Sequence, residues 1–166
     1  MSAVVNTVAR EAASAAMAMQ WSCTRFEGLS LQGLYDLLKL RARVFILEQD
    51  CPYLDLDGVD QQSSHLLGRN AQGELMLYLR VVDPGIKYEE PSLGRVVNDP
   101  KVRGSGLGRV LVGEGVQRCL AAWPGQGIRI SAQAHLAKFY GEFGFEPVGE
   151  TYLEDNIPHI EMLRRP

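Results

Sequence analysis

Val97-Asn98-Asp99-Pro100-Lys101-Val102-Arg103-Gly104-Ser105-Gly106-Leu107-Gly108-Arg109 is the stretch that decides how this chain folds. The apolar run Leu93 to Val97 leads into it and reads as a strand, while Gly106 to Trp123 reads as a helix stopped by Pro124-Gly125. A glycine-rich loop therefore joins a strand to a helix. The first N–H groups of a helix have no partner inside it and lie at the positive end of its dipole. Such a junction is an anion site. Glycine lets anion oxygens approach the backbone and reaches positive φ without penalty. Arg103 and Arg109 add charge-assisted donors beside the loop.

Three anion-binding patterns compete for this loop. The Walker pattern fails, because no lysine followed by Ser or Thr closes it. The dinucleotide pattern G-x-G-x-x-G fails at its third glycine, which is Arg109, and it belongs early in a β-α-β unit rather than after a fourth strand. The third pattern, Arg/Gln-x-x-Gly-x-Gly/Ala, is met by Arg103, Gly106 and Gly108. It resembles the pyrophosphate loop of the GNAT N-acetyltransferase superfamily. A second motif has the order, spacing and strand context of the same family: Gln133-x-x-Leu136-x-x-Phe139-Tyr140-x-x-x-Gly144-Phe145. Here Gln133 stands where the family usually has Asn, and Leu136 where it has a small residue. Gln133 still offers both a donor and an acceptor to pantetheine amides.

The first half narrows the resemblance. Arg41-x-x-Val44-Phe45-x-x-Glu48-Gln49-x-Cys51-Pro52-Tyr53-x-x-x-Asp57-x-x-Asp60, then His65-Leu66, is similar to the ElaA-like branch of that superfamily. So are Gly94-Arg95-Val96 and Glu154-Asp155-x-Ile157-Pro158-His159-Ile160. The match runs from about Trp21 to the C-terminus.

The elements agree with that fold. Trp21–Phe26 reads as a strand, followed by a helix from Leu31 to about Glu48 with Ser30 as its N-cap. His65–Gly68 and Glu74–Val82 read as strands joined by a hairpin-like turn, and Leu93–Val97 as the fourth. Ile128–Ala134 is the fifth, and Leu136–Phe143 is a short helix closed by a left-handed Gly144. Phe145–Thr151 and Pro158–Leu163 complete the sheet. The order β-α-β-β-β-α-β-α-β-β is that of a mixed α/β (α+β) sheet in a single domain, residues 21–166. Residues 1–20, rich in alanine, read as an extension or a short added helix. Arg10-Glu11 interrupts them, and Ala15 to Met19 is too short to span a bilayer.

Composition sets outer limits. The 166 residues suit one domain, and 46% hydrophobic with 22% charged residues is ordinary for a globular protein. A net charge of -3 with scattered basic residues gives no reason to expect nucleic acid or an anionic membrane as partner. Three cysteines, Cys23, Cys51 and Cys119, without paired spacing suggest neither a disulfide framework nor a metal site, and point to a reducing cytoplasm.

The resemblance implies a fold with a mostly antiparallel sheet whose fourth and fifth strands splay, flanked by helices, and with acetyl-CoA as donor co-substrate. It implies that the pantetheine arm pairs with the freed edge Arg95-Val96-Val97. The diphosphate would lie on Arg103, Gly104, Ser105, Gly106, Leu107, Gly108 and Arg109, with Gln133 and Phe139 of the second motif beside the cofactor. Tyr140 occupies the general-acid position for the leaving thiolate; otherwise it is a core aromatic. Acyl transfer to an amine also needs a base. Glu48 ranks first for that role, ahead of His65 and His159, and a water relay would also serve.

Other readings stay open. Asp55, Asp57 and Asp60 form either an acidic lip for a cationic amine or a solvated turn, since a calcium loop would need a different spacing. Cys51 reads as a loop thiol. Besides an N-acyltransferase, the sequence allows a non-catalytic acyl-CoA sensor of the same fold, while a dinucleotide-dependent oxidoreductase is disfavoured by Arg109. The acceptor amine is not named by the sequence. A homodimer is expected to pair through a sheet edge, with the last strand, His159 to Leu163, as the candidate.

Overall fold

The computed structural model describes residues 18–166, so residues 1–17 of the expected extension lie outside it. The strands are β1 (Gln20–Arg25), β2 (Ser63–Arg69), β3 (Leu75–Val82), β4 (Ser92–Asn98), β5 (Ile128–Gln133), β6 (Phe145–Glu154) and β7 (Ile157–Arg164). The helices are α1 (Leu31–Arg41), α2 (Leu107–Ala122) and α3 (Ala137–Gly141). The strands form one sheet in the order β1-β2-β3-β4-β5-β7-β6. Each neighbouring pair runs antiparallel except β4 and β5.

β3 is buried along its whole length and carries the core on both faces. Successive strand residues point to opposite sides. Leu77, Leu79 and Val81 thus meet Leu111, Val112, Val116 and Cys119 of α2. Tyr78, between them, joins Leu37, Leu40 and Val44 of α1 and its continuation on the other face. Arg80 continues the row of Tyr78, yet is only 2% exposed. A charge so deep requires partners.

Ser30 caps α1 as expected, its Oγ accepting from Gly33 N at 2.9 Å. The expected single helix to Glu48 divides at Arg41. Over Ala42–Glu48 the turns widen to the π type, with Gln49 N donating to Val44 O and Cys51 N to Ile46 O, each at 3.3 Å. Turns of this kind are rare and recur at functional sites. Gly144, at φ 83°, closes the segment after α3 in the left-handed conformation expected of it.

One expectation is corrected. The last strand, β7, is not an edge: β5 pairs with one side of it and β6 with the other. Its alternating sequence resembles an edge strand locally, but a crossover inserts it into the sheet. The edges are β1 and β6, so pairing of two copies through a sheet edge would use one of those.

Candidate active site

β4 and β5 share one register pair, Ser92 with Arg129, and then part. On its other side β4 is bulged. Tyr78 pairs with Val97 and Arg80 with Gly94, so β4 spends one residue more than β3 over the same interval. Arg95 lies in that interval with φ 51°, a left-handed value that non-glycine residues seldom take. Arg95 and Val96 consequently have no register partner on β3 or on β5. Backbone N–H and C=O groups left this way seek hydrogen bonds from a ligand. A cleft of about 490 Å³ opens along them.

A buried ion network holds Arg95 in this conformation. Its Nε donates to Asp55 Oδ1 at 2.7 Å, and its Nη2 to Asp57 Oδ2 at 3.3 Å. Arg41, wholly buried, donates through Nε to Asp55 and through Nη1 to Asp60, both at 2.8 Å. Arg80 reaches Asp57 Oδ2 and Asp60 Oδ1 at 2.7 Å each. Three guanidinium groups thus face three carboxylates. This corrects the expectation of an acidic lip: these aspartates are neutralised by arginines distant in sequence. Burial by itself would raise the Asp57 carboxyl, but Arg80, helped by the Val59 N–H and Arg95, holds it well below the usual range. Asp60 is likewise lowered, Arg41 and Arg80 outweighing its burial.

Tyr140 lines the cleft, 8% exposed, its ring edge-on to Phe139 at 5.2 Å and to Phe145 at 6.1 Å. Burial pushes its phenol up to about 12, so it is protonated at neutral pH. His159 lines the same cleft, and its Nδ1 sits 2.8 Å from Ile157 O. A carbonyl only accepts, so Nδ1 is the donor, and in the neutral ring the lone pair is on Nε2.

The other two candidate bases are elsewhere. His65 is fully enclosed, Nε2 on Asp60 O at 2.9 Å and Nδ1 on Tyr78 OH at 2.8 Å, and it does not line the cleft. Both its nitrogens are used in packing the network, which corrects its candidacy as a base. Glu48, the first-ranked base, is not on the cleft wall; it pairs with Arg103 at 2.8 Å. Its neighbour Gln49 is on that wall and accepts from Gln133 Nε2 at 3.3 Å across the opening.

The loop ahead of α2 adjoins this end of the cleft through Glu48 and Gln49. Gly104 and Gly106 take φ 76° and 83°. Gly106, the N-cap of α2, offers no side chain, and the one hydroxyl at the helix start, Ser105 Oγ, accepts from Leu107 N at a long 3.4 Å. A Cβ on Gly108 would come within 2.7 Å of Asn98 Nδ2, so a larger residue there would have to displace the Asn98 side chain. Ser105 turns its hydroxyl back to Val102 O, and Leu107 is buried beneath the loop. Arg109 pairs with Glu142 at 2.8 Å and lies over the Phe139 ring. Helix-start N–H groups met only by a long Ser105 contact, two left-handed glycines and two arginines fit a diphosphate. Val97 is buried in register with Tyr78 and stays off the cleft wall.

The sequence reading missed the far end of the cleft. Lys87, Ser131 and Glu154 line it there. Ser131 Oγ lies 2.6 Å from Tyr152 OH and donates to Glu154 Oε2 at 3.2 Å, with Tyr152 stacked on His159. The alternation of β5, with Ile128, Ile130 and Ala132 buried, was the available signal that Ser131 and Gln133 share the other face.

Among families, the acetyltransferase (GNAT) domain matches residues 42–165. A UPF0039 protein of Synechocystis is 45% identical over 90% of this chain and 97% of its own length. Protein ElaA of Escherichia coli is 40% identical over 88% of this chain and 96% of its own. Among solved structures, an acyl-CoA N-acyltransferase from Pseudomonas aeruginosa superposes with a TM-score of 0.84 at 42% identity, covering 88% of this chain and 99% of that one. The crystal structure of Escherichia coli ElaA gives 0.83 at 40% identity, with 89% and 99% covered.

The network has a pH signature. Asp57 and Asp60 titrate lower in the folded chain than in the unfolded one, where about 3.9 is usual. Their stabilisation is therefore full above that value and is lost as pH falls through the depressed values. Urea midpoints taken from pH 7 down to pH 3 should hold steady and then drop below about pH 4. Asp57→Asn should lower the midpoint at pH 7 and flatten the acid limb. An unaltered acid limb in that variant would deny the network this role.

Proposed function

The chain belongs to the GNAT acetyltransferase family, and from that premise we propose that it moves the acetyl group of acetyl-CoA directly to a primary amine held in the same cleft. The observation that carries the reading is the free backbone of Arg95 and Val96, facing a cleft that also contains a protonated phenol and an imidazole with an open Nε2. A sensor needs the first; only catalysis needs the other two.

In this proposal the residues from Arg103 to Arg109 hold the diphosphate of the donor, with the N–H groups at the start of α2 as donors. Gln133 and the Arg95–Val96 edge take the amides of the pantetheine arm, and Phe139 backs Arg109. The same edge polarises the thioester carbonyl. His159 Nε2 takes a proton from the acceptor ammonium, and the amine nitrogen then attacks the carbonyl carbon. As the C–N bond forms and the C–S bond breaks, Tyr140 gives its proton to the departing sulfur. The first proton passes from His159 to water; the second, lost by the nitrogen once the C–N bond has formed, restores the Tyr140 phenol, so the ammonium's two protons end on the thiol and in water. Glu48, engaged with Arg103, serves the donor loop, so His159 replaces it as our assigned base. Three unpaired cysteines suit a reducing compartment, and we place the protein in the cytoplasm.

Two predictions test this. Arg103→Ala should weaken CoA binding by about 10- to 100-fold, the worth of a charge-assisted bond, and Gly106→Val should do so at least as strongly. Calorimetry with CoA on protein of verified melting temperature reads both, and unchanged affinity would remove the loop from the donor site.

Tyr140→Phe keeps the ring packing and removes the proton. It should lower kcat by about 10²- to 10⁴-fold with CoA affinity intact. His159→Gln should cost a similar factor in kcat/KM, narrowing at high pH where more of the amine is already neutral. Wild-type turnover in the Phe variant would make Tyr140 a packing residue. A His159 defect unaffected by pH would make that residue a substrate contact instead of a base.

A further inference from the structure

The far end of the cleft carries charges that the mechanism leaves unused. Arg80 and Arg95 are on its wall, but with Arg41 they are matched one for one by Asp55, Asp57 and Asp60. That part of the wall is electrically closed. Three wall residues fall outside the balance: Lys87, Glu154 and Asp155, the last with only its main-chain carbonyl engaged among the described residues, by Cys51 Sγ at 3.4 Å. Lys87, brought in by the segment between β3 and β4, makes no ion pair among the described residues; its ammonium lies over the Tyr88 ring, 5.4 Å from the centroid. Glu154, from the β6–β7 hairpin, keeps one contact, the Ser131 hydroxyl at 3.2 Å. Lys87 and Glu154 are near enough to feel each other's charge, yet form no ion pair among the described residues. A cation and an anion held apart in one cavity, each with free hydrogen-bonding capacity, are complementary to a ligand that bears both charges.

The two groups are also placed differently for the chemistry. Glu154 stands on the Ser131–Tyr152 cluster, and Tyr152 stacks on His159. An ammonium drawn to Glu154 therefore arrives beside the proposed base. Lys87 cannot serve that ammonium, since like charges repel. Lys87 keeps an exposed face, but partial burial of its ammonium, with Arg95 and Arg80, lowers its pKa against the pull of Glu154 and Asp57. An anion at this position relieves both costs.

Resting on the acyltransferase reading, we infer that the acceptor is a small zwitterion, an α-amino acid in its simplest form, whose ammonium docks at Glu154 and whose carboxylate docks at Lys87. A polyamine or an unmodified lysine side chain has nothing to offer Lys87, and a decarboxylated amine forfeits half of the recognition.

The test uses the full chain, acetyl-CoA, and matched triplets: each L-amino acid, its amide, and the amine without the carboxyl carbon. The carboxylate form is expected to lead in kcat/KM by about 10- to 100-fold, the worth of one charge-assisted bond. Lys87→Gln should bring the three members within a few-fold of one another, chiefly through the KM of the amino acid, with the KM for acetyl-CoA unchanged. Amine basicity is the same for both proteins, so the change in ratio reads Lys87 alone. Lys87→Glu should reverse the order in favour of the decarboxylated amine. Ligand-detected NMR of the same triplets with CoA present reads the preference without turnover. If amines lacking a carboxylate are acetylated as well as the amino acids, or if Lys87→Gln leaves the ratio intact, the inference is overturned while the enzyme stands. If nothing is acetylated, the enzyme reading falls, and the NMR ratio in wild type and Lys87→Gln decides the inference by itself.

Discussion

The closed set of ion pairs among Arg41, Arg80, Arg95, Asp55, Asp57 and Asp60 is the constraint on which the rest of the cleft depends. Moving six charges out of water is costly, and buried pairs of this kind contribute little net stability over an apolar core. What they contribute here is geometry. Arg41 ends α1, Arg80 lies on the core strand β3, Arg95 sits at the bulge of β4, and the three aspartates belong to the segment between α1 and β2. One polar cluster therefore ties together the helix, the loop and both strands that make one wall of the cleft. Removing a partner would leave a buried charge uncompensated, which restricts the wall to a single arrangement.

Arg95 shows how local strain and this network depend on each other. A non-glycine residue at φ 51° carries a conformational cost of roughly 1–3 kcal/mol and persists only where its surroundings fix it. Here the fixing groups are Asp55 and Asp57, bound through the side chain of the strained residue itself. The extra residue in β4 breaks the register with β3, and the divergence of β5 removes the other neighbour. A glycine at position 95 would accept the same φ more readily, but it could not reach the aspartates. The chain thus combines a side chain that anchors the wall with a backbone that stays available for a ligand.

How much of this was legible in the sequence depended on how local each feature is. The glycine loop, the Ser30 cap and the left-handed Gly144 depend on neighbours within a few residues, and all three appear in the structure. The element order was readable for the same reason, since hydrophobic period and turn residues act locally. The place of β7 inside the sheet is set by a crossover, and nothing within its own eight residues records that. Asp55, Asp57 and Asp60 looked solvated because their partners lie 14 to 40 positions away. His65 could be read either as a base, from the usual pKa of an imidazole, or as a hydrogen-bonded core residue, and Asp60 O and Tyr78 OH, closing on it from two other elements, decide for the second. Lys87 carried no motif at all; only the fold brings its loop to the cleft.

The two groups assigned to proton handling in the proposed reaction are set by opposite uses of burial. Around Tyr140 the surroundings are apolar and offer no nearby charge, so withdrawal from water acts alone and holds the proton on the phenol. In the proposed reaction, that keeps the phenol in the protonated form a general acid needs at neutral pH. At His159 burial is partial, and the selecting agent is a single carbonyl, that of Ile157, which decides which nitrogen bears the proton. That carbonyl belongs to the first residue of β7, the strand inserted between β5 and β6. The crossover that sets the place of β7 in the sheet is therefore what carries His159 to the cleft beside β5. With β7 at the sheet edge, its first residues would lie one strand farther away, and the imidazole would face water instead of the opening between β4 and β5.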